Sequence, residues 1–274
     1  MKRILLIALP VVLLVITIVL IFNLRHARVS SYSTGAGIGS VSALLAEGKD
    51  LEAKGKLLDA KAVYQKLVNE YPSSRDVLSW QKKVEAFNIK LIFSDTLLPN
   101  LTSLYEIKPG DTLGSISKQF NTNIELIMKS NRLSSDRIIP GRKVRIWTAP
   151  FTILVDKSQN TLTLKTGDEI IKTYSVSTGA NNCTPVGTFK IVELIANPPW
   201  FKPGATEPIP PGSPQNILGT RWLGINVPGY GIHGTTDPGS LGSQVTQGCV
   251  RMANSDVEEL FALVPKGTEV DISD

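Results

Sequence analysis

Residues 230–252 read YGIHGTTDPGSLGSQVTQGCVRM, and two glycine-flanked residues in this stretch, His233 and Cys249, decide how the rest of the chain is read. A thiol becomes a useful nucleophile near neutral pH when a base or a cation stands beside it, and imidazole is the usual partner. Gly248 leaves room for a substrate to approach the sulfur, and main-chain N–H groups near Cys249 can polarise a carbonyl oxygen. Taken singly, a cysteine is more often an inert buried side chain and a histidine more often a core residue. Their pairing between glycines favours chemistry over packing.

Outward from this stretch, residues 151–274 carry a β-rich pattern. Thr152–Val155, Thr161–Lys165, Ile170–Val176 and Thr188–Val192 are alternating or β-branched runs, with hairpin-like connections at 156–161 and 166–169. Residues 197–212 hold many of the prolines and predict a long irregular loop, of the kind that covers a site. One helix is expected over 255–264, opened by Ser255 or Asp256 and burying Val257, Leu260, Phe261 and Val264.

With these segments in place, 230–252 resembles the signature of L,D-transpeptidases of the YkuD type, in which a histidine and a Ser/Thr-x-Gly-Cys element are separated by a variable loop. Thr184–Phe189 and Leu218–Trp222 match further recurrent segments, so the resemblance covers essentially all of 151–273. Thr246 replaces the commoner serine and Gln247 stands where histidine or arginine is frequent; neither change removes a reacting group. The resemblance implies a mainly-β YkuD-type catalytic domain over 150–274 and a two-step covalent reaction on peptidoglycan. Cys249 attacks the carbonyl of the third residue of a tetrapeptide stem, releasing the terminal D-alanine and leaving a thioester. His233 takes the thiol proton and returns it to the leaving amine, the Gly234 carbonyl orients the ring, and amides near Gly248 and Cys249 form the oxyanion hole. Arg251 either positions a substrate carboxylate or braces its loop, and Thr246, Trp222 and Tyr230 complete the expected substrate-binding set.

An amine from a second stem resolves the thioester into a cross-link. Water in its place makes an L,D-carboxypeptidase, a protein side chain makes an anchoring enzyme, and a silent site leaves a peptidoglycan-binding scaffold. Cys183, next to the Thr184-Pro185 segment, reads as a lone semi-buried thiol, with pairing to Cys249 in an oxidising compartment as the alternative. Two His and two Cys with no Cys-x-x-Cys pair argue against a metal, and no cofactor is expected.

Upstream, residues 104–147 predict strand, helix, helix, strand. A first strand ends at Pro109-Gly110, Asp111 or Thr112 caps one helix, Thr122 or Asn123 caps a second, and Lys143–Trp147 alternates as the last strand. This order, with Gly110-Asp111-Thr112-Leu113, Asn131 and Pro140-Gly141, resembles the LysM module. A βααβ module over 104–148 is implied, binding N-acetylglucosamine-containing glycan through Gly110, Asp111 and Thr112 and the loop at Ile138 and Ile139. A purely structural reading makes Asp111 and Thr112 a helix cap.

Residues 43–93 repeat apolar positions at three and four residue steps and predict two or three amphipathic helices, written as a helical hairpin region. The stretch from Glu52 to Ser74 resembles a tetratricopeptide unit, with Gly55 at the turn, Ala60 at the close packing point and Pro72 at the stop. One visible unit reads as a spacer or as a pair of helices binding a protein partner. Residues 94–103 read as a linker, and 29–42, rich in Ser and Gly, as a flexible one.

Ile4–Phe22 is an uncharged, nearly all-aliphatic run, long enough to cross a bilayer as a helix. It leaves through Asn23, Arg25 and Arg28 rather than small residues, so 1–28 reads as an uncleaved anchor of a single-pass protein of the cytoplasmic membrane, its domains on the extracytoplasmic side. The whole is therefore a multidomain chain: transmembrane helix, helical region, LysM module, catalytic domain. A net charge of +5 suits polyanionic surroundings. Without a basic stripe interleaved with aromatics, nucleic acid is not an expected partner.

Overall fold

The computed structural model describes residues 34–274. The anchor expected over 1–28, and the first residues of the linker after it, lie outside the described residues. Among the described residues no helix is long and apolar enough to cross a membrane.

Three helices come first: α1 (Thr34–Ala53), α2 (Leu57–Glu70) and α3 (Val77–Ile92). Gly55, at φ +70, makes the turn between α1 and α2, a conformation that costs glycine little. Ala60, Tyr64 and Leu67 of α2 and Trp80, Val84 and Phe87 of α3 bury a shared core, against which Val41, Leu44 and Leu45 of α1 pack. That packing corrects two expectations. The flexible linker of 29–42 is helical from Thr34, because apolar contacts override the weak propensity of Ser and Gly, and the region is a three-helix unit rather than a hairpin.

The next unit pairs β1 (Thr102–Glu106) antiparallel to β2 (Lys143–Trp147) around α4 (Leu113–Gln119) and α5 (Ile124–Ser130). Thr112 caps α4 in a reciprocal box with Ser115, and the Asn123 side chain accepts from Glu125 N to cap α5. Asp111 is no helix cap: its Oδ2 accepts from Lys108 N and from the Tyr105 hydroxyl, both at 2.8 Å, which closes the turn ahead of the helix and holds its carboxyl below the usual range.

The remainder is a nine-stranded sheet with one helix, α6 (Asn254–Leu263). Its strands are β3 (Thr152–Asp156), β4 (Thr161–Thr166), β5 (Glu169–Gly179), β6 (Gly187–Ala196), β7 (Arg221–Ile225), β8 (Gly231–His233), β9 (Gln244–Thr246), β10 (Val250–Met252) and β11 (Glu269–Ser273). They run in the order β10-β8-β7-β6-β11-β3-β4-β5-β9, and β10 also pairs with β5, so the sheet closes on itself. Alternation along β3 and β4 sends Ile153, Val155, Leu162 and Leu164 inward, where they meet Val176, Leu223, Ile232, Met252 and Leu260. The helix expected over 255–264 begins at Asn254 and has no side-chain cap from Ser255 or Asp256.

These units are bolted together. Leu91, Ile92, Leu126 and Trp147 belong to the same buried cluster as the closed sheet. Asn88 Nδ2 donates to the carbonyls of Ile170 and Ile171, and Asn123 Nδ2 to those of Phe261 and Val264. Arg145 is buried, with its Nη1 on the Ile92 carbonyl at 2.7 Å at the end of α3; burial lowers its pKa to about 10. The Asn88 and Asn123 amide nitrogens and the Arg145 Nη1 each have a carbonyl partner across a joint, so the site-bearing sheet has fixed neighbours on two sides.

Candidate active site

Three adjacent strands put three of the anticipated residues in one row. Trp222 on β7 stands opposite His233 on β8, and His233 is in register with Arg251 on the parallel strand β10. Residues level across a sheet share a face, so indole, imidazole and guanidinium are neighbours by construction. Cys249 ends the loop just before β10. With Trp222, Tyr230, His233, Thr246, Gln247 and Arg251 it lines a cavity of about 660 Å³, whose opposite wall is the Pro198–Pro203 part of the proline-rich loop. That loop is irregular as expected, tied by a Trp200–Ile209 bridge and by Asn216 Nδ2 on the Pro198 carbonyl.

His233 is 2% exposed, and its Nδ1 lies 2.7 Å from the Gly234 carbonyl oxygen. A carbonyl only accepts, so Nδ1 carries the proton and Nε2 keeps its lone pair. Burial lowers the imidazole pKa to about 4, and the nearby Arg251 charge acts in the same direction against the Gly234 bond. Burial raises the Cys249 thiol above its ordinary value, offset in part by the Gly231 amide and the Arg251 charge. Both shifts disfavour ions. The resting pair is therefore a neutral thiol and a neutral imidazole, and the sulfur sits 3.5 Å from the Gly229 carbonyl.

The cysteine loop is folded by Thr246. Its Oγ1 donates to the Cys249 carbonyl at 2.6 Å and accepts from Gly248 N at 3.2 Å. Thr246 is buried and its hydroxyl is engaged in these two bonds, so it ties the loop together while also lining the cavity. The same bond occupies the Gly248 N–H, and of the two amides expected in an oxyanion hole this leaves that of Cys249. Gly248 adopts φ +120, and a Cβ there would come 2.6 Å from the Tyr230 ring. The space that the missing side chain opens is thus filled by Tyr230, not by substrate. Cys183 is the lone thiol expected of it, exposed rather than semi-buried, with Sγ 3.9 Å from the Thr246 carbonyl; both cysteines are free, and the alternative Cys183–Cys249 pair does not form.

Of the two roles expected of Arg251, the structure gives the brace. Nη1 donates to Ser240 Oγ at 2.9 Å, which braces the preceding loop, while the buried Nε has no partner and the residue lines the cavity. Asn254 is a residue that motif reasoning passed over. Its Oδ1 accepts from Thr235 N at 3.0 Å and from Thr220 N at 3.3 Å, and its Nδ2 donates to the Thr235 carbonyl at 2.8 Å. That oxygen sits where side chains on Gly219 or Gly234 would fall, 2.2 and 2.1 Å from their Cβ positions. Asn254 therefore fixes the backbone that presents the Gly234 carbonyl to His233. An amide three residues beyond Arg251, opening the one helix, was the available signal.

At the other expected site, Gly110 has φ +90 with open space about it, and Ile139 is 63% exposed while Ile138 packs against its unit's core. Asp111 and Thr112 are engaged in the turn and the cap described above.

The family described as the L,D-transpeptidase catalytic domain, YkuD, matches residues 150–272, and the LysM domain matches 105–147. Over 178 residues, 62% of this chain and 98% of the relative, the sequence is 36% identical to YkuD of Bacillus licheniformis, which is named among the L,D-transpeptidases. YkuD of Bacillus subtilis is 35% identical over 176 residues, with the same two coverages. YqjB of that organism, also named among them, is 39% identical over 128 residues, 44% of this chain and 70% of its own.

Proposed function

This chain belongs to the YkuD-type L,D-transpeptidases and is a cysteine-dependent enzyme of that class, and we propose that Cys249 is its nucleophile, His233 its base and a peptidoglycan tetrapeptide stem its acyl donor. The observation that carries the assignment is the buried His233, its Nδ1 proton directed to the Gly234 carbonyl, in the cavity that also holds the Cys249 thiol.

Because the resting pair is neutral, the proton leaves sulfur as the bond to carbon forms. Cys249 Sγ attacks the carbonyl of the third stem residue while His233 Nε2 takes the thiol proton. The imidazolium that results is buried, and the Gly234 carbonyl at Nδ1 stabilises it without adding a net charge. The Cys249 N–H supports the developing oxyanion. His233 then protonates the departing D-alanine nitrogen, leaving the thioester, and an amine from a second stem converts it into an amide cross-link. Arg251, which lines the cavity, is the residue proposed to meet a donor carboxylate, and Trp222 and Tyr230 form the adjoining wall.

Peptidoglycan is the polymer that both domains address. For the LysM unit, Gly110, Thr112 and the exposed Ile139 are the proposed glycan contacts, with Asp111 shaping their turn. The first segment, 1–28, is proposed as a membrane anchor holding the chain on the extracytoplasmic face. The helices of 43–93 are proposed as a tetratricopeptide-like unit that binds a protein partner.

Intact mass spectrometry of the chain with a disaccharide tetrapeptide, under mild reductant, tests the assignment. A thioester adduct that is absent from Cys249→Ala and resolves to a cross-linked dimer is the expected result. Resolution to free tripeptide alone makes the enzyme a carboxypeptidase, and folded protein with a free thiol and no adduct overturns the mechanism.

A further inference from the structure

Two cavities share the wall built by Glu193, Trp222, Gly229 and Tyr230. The larger holds Cys249 and His233; the other, about 490 Å³, runs along the far side past Val192, Asn226 and Lys266. Among the described residues lining either space, Glu193 is the one that bears a carboxylate.

Its placement is constructed by neighbours. Glu193 pairs with Gly224 across β6 and β7, and its Oε2 accepts from Trp222 Nε1 at 3.0 Å. A Cβ on Gly224 would come 2.8 Å from that indole nitrogen and 3.2 Å from the Glu193 Cβ, and one on Gly231 would come 2.8 Å from the far edge of the ring. Two glycines thus cut a slot for the indole, whose ring lies against His233 with centroids 6.0 Å apart and planes 22° apart. An indole N–H occupies one carboxylate oxygen and neutralises no charge. No Lys, Arg or His among the described residues forms an ion pair with Glu193. A carboxylate held this way, on the wall of the space where a thioester forms, is a standing attraction for a cation.

The reaction supplies that cation. The donor reacts through an uncharged carbonyl, whereas the acceptor amine arrives as an ammonium. The geometry points to Glu193 as the residue that selects the acceptor, drawing its ammonium into the smaller cavity beside the Trp222 wall while the acylated stem fills the larger one. Lys266 brings the opposite sign to the same cavity, which suits an acceptor whose amine-bearing end also carries a carboxylate. The inference rests on the Cys249 thioester proposed above. In the step it serves, the ammonium first gives one proton to solvent. The free amine attacks the thioester carbonyl, the N–C bond forms, the C–Sγ bond breaks, and the surplus amine proton passes through His233 Nε2 to the sulfur. The neutral pair is restored.

Glu193→Gln tests this, because the amide oxygen still accepts from Trp222 Nε1 while the charge is gone. Full-length enzyme is acylated with a disaccharide tetrapeptide and offered either a stem amine or hydroxylamine, a nucleophile that is neutral at pH 7. Mass spectrometry reads the ratio of aminolysed to hydrolysed product. The expected result is a roughly three- to fivefold fall in that ratio for the stem amine, as loss of one solvent-exposed charge contact implies. The fall appears as a raised acceptor KM, no comparable fall occurs with hydroxylamine, and Glu193→Asp recovers part of the loss. Added salt lowers the wild-type ratio more than that of the Gln variant. A wild-type ratio in Glu193→Gln overturns the proposal, as does an equal fall with both nucleophiles, which would assign Glu193 to holding Trp222. A wild-type enzyme that forms no thioester removes this inference together with the function it rests on; a thioester with an unaltered ratio removes this inference alone.

Discussion

Asn254→Ala removes three hydrogen bonds at one stroke: two N–H donors, of Thr220 and Thr235, lose their acceptor, and the Thr235 carbonyl loses its donor. Each such bond contributes about 1 kcal/mol net, and N–H groups stranded between the packed loops cost at least as much. A loss of about 3 kcal/mol follows, which for a chain of this size lowers Tm by about 6–12 °C. The catalytic consequence is separate from stability. With the 219–220 and 234–235 segments released, the Gly234 carbonyl drifts from His233 Nδ1, and acylation by a tetrapeptide falls about ten- to a hundredfold even at temperatures where the protein is folded. Because the Gly234 bond raises the His233 pKa, its loss moves the acid limb of the acylation profile to lower pH, an effect that weaker packing alone does not produce. Asn254→Asp keeps the Oδ1 acceptor and adds a negative charge, so its acid limb moves the other way. Calorimetry and the rate of adduct formation against pH read both effects. A Tm within about 2 °C of wild type with an unchanged acylation profile would refute the positioning role.

Four further outcomes follow from the geometry. Acylation in the wild type loses rate as His233 protonates, so its acid limb lies near pH 4 rather than 6.5, and a limb at 6–7 in the pH–rate profile contradicts the buried neutral ring. The same shift has a stability counterpart. A histidine depressed on folding leaves the unfolded chain binding the extra proton, so stability is complete above pH 6.5 and declines by on the order of 3 kcal/mol as pH falls through 4; in His233→Gln, denaturant titrations lose this slope. Gly248→Ala forces an L residue to φ +120 and drives its Cβ into the Tyr230 ring, costing about 2–3 kcal/mol and abolishing adduct formation, which thermal melts and mass spectrometry check. Arg145→Met strips the end of α3 of its buried donor, and hydrogen exchange at Phe93 and Ser94 quickens while that within β3–β5 is little altered.

Much of this molecule is legible because its signals are local. β3 and β4 alternate, Thr112 and Asn123 are ordinary caps, and Gly55 takes the left-handed turn its position demands. What escaped reading depends on partners distant in sequence. β8 and β10 are three residues each, too short to alternate, and are strands only because they pair with one another and with β7 and β5. The helix from Thr34 forms in a Gly/Ser-rich stretch because Val41, Leu44 and Leu45 find an apolar core further along the chain, between Ala60 and Phe87. At the site, the motif yields Cys249 and His233, and Trp222, Tyr230 and Arg251 line their cavity, but it does not give the hydrogen bonds around them. The Thr246 hydroxyl is turned to the Cys249 carbonyl and Gly248 lies against Tyr230, while Asn254 holds the loops. A motif reports which residues must be present; it does not say which way a hydroxyl points.

The burial that sets the protonation of the pair also protects it. Thiol oxidation and disulfide exchange proceed through the thiolate, at rates that follow the fraction ionised. A site that lowered the Cys249 pKa would keep a thiolate permanently exposed to oxidants, with Cys183 close enough for its carbonyl to approach Gly248. Here desolvation keeps Cys249 as the thiol and His233 as the free base, so the nucleophile is generated only when a carbonyl carbon is in place to receive the sulfur and the Gly234 carbonyl is in place to steady the imidazolium. The requirement falls on position rather than on resting charge. That is why the hydrogen bonds of Asn254 and Thr246, neither of which touches the reacting atoms, carry so much of the site: the rate depends on Sγ, Nε2 and a substrate carbon meeting in one geometry, and these two side chains hold the loops on which that geometry stands.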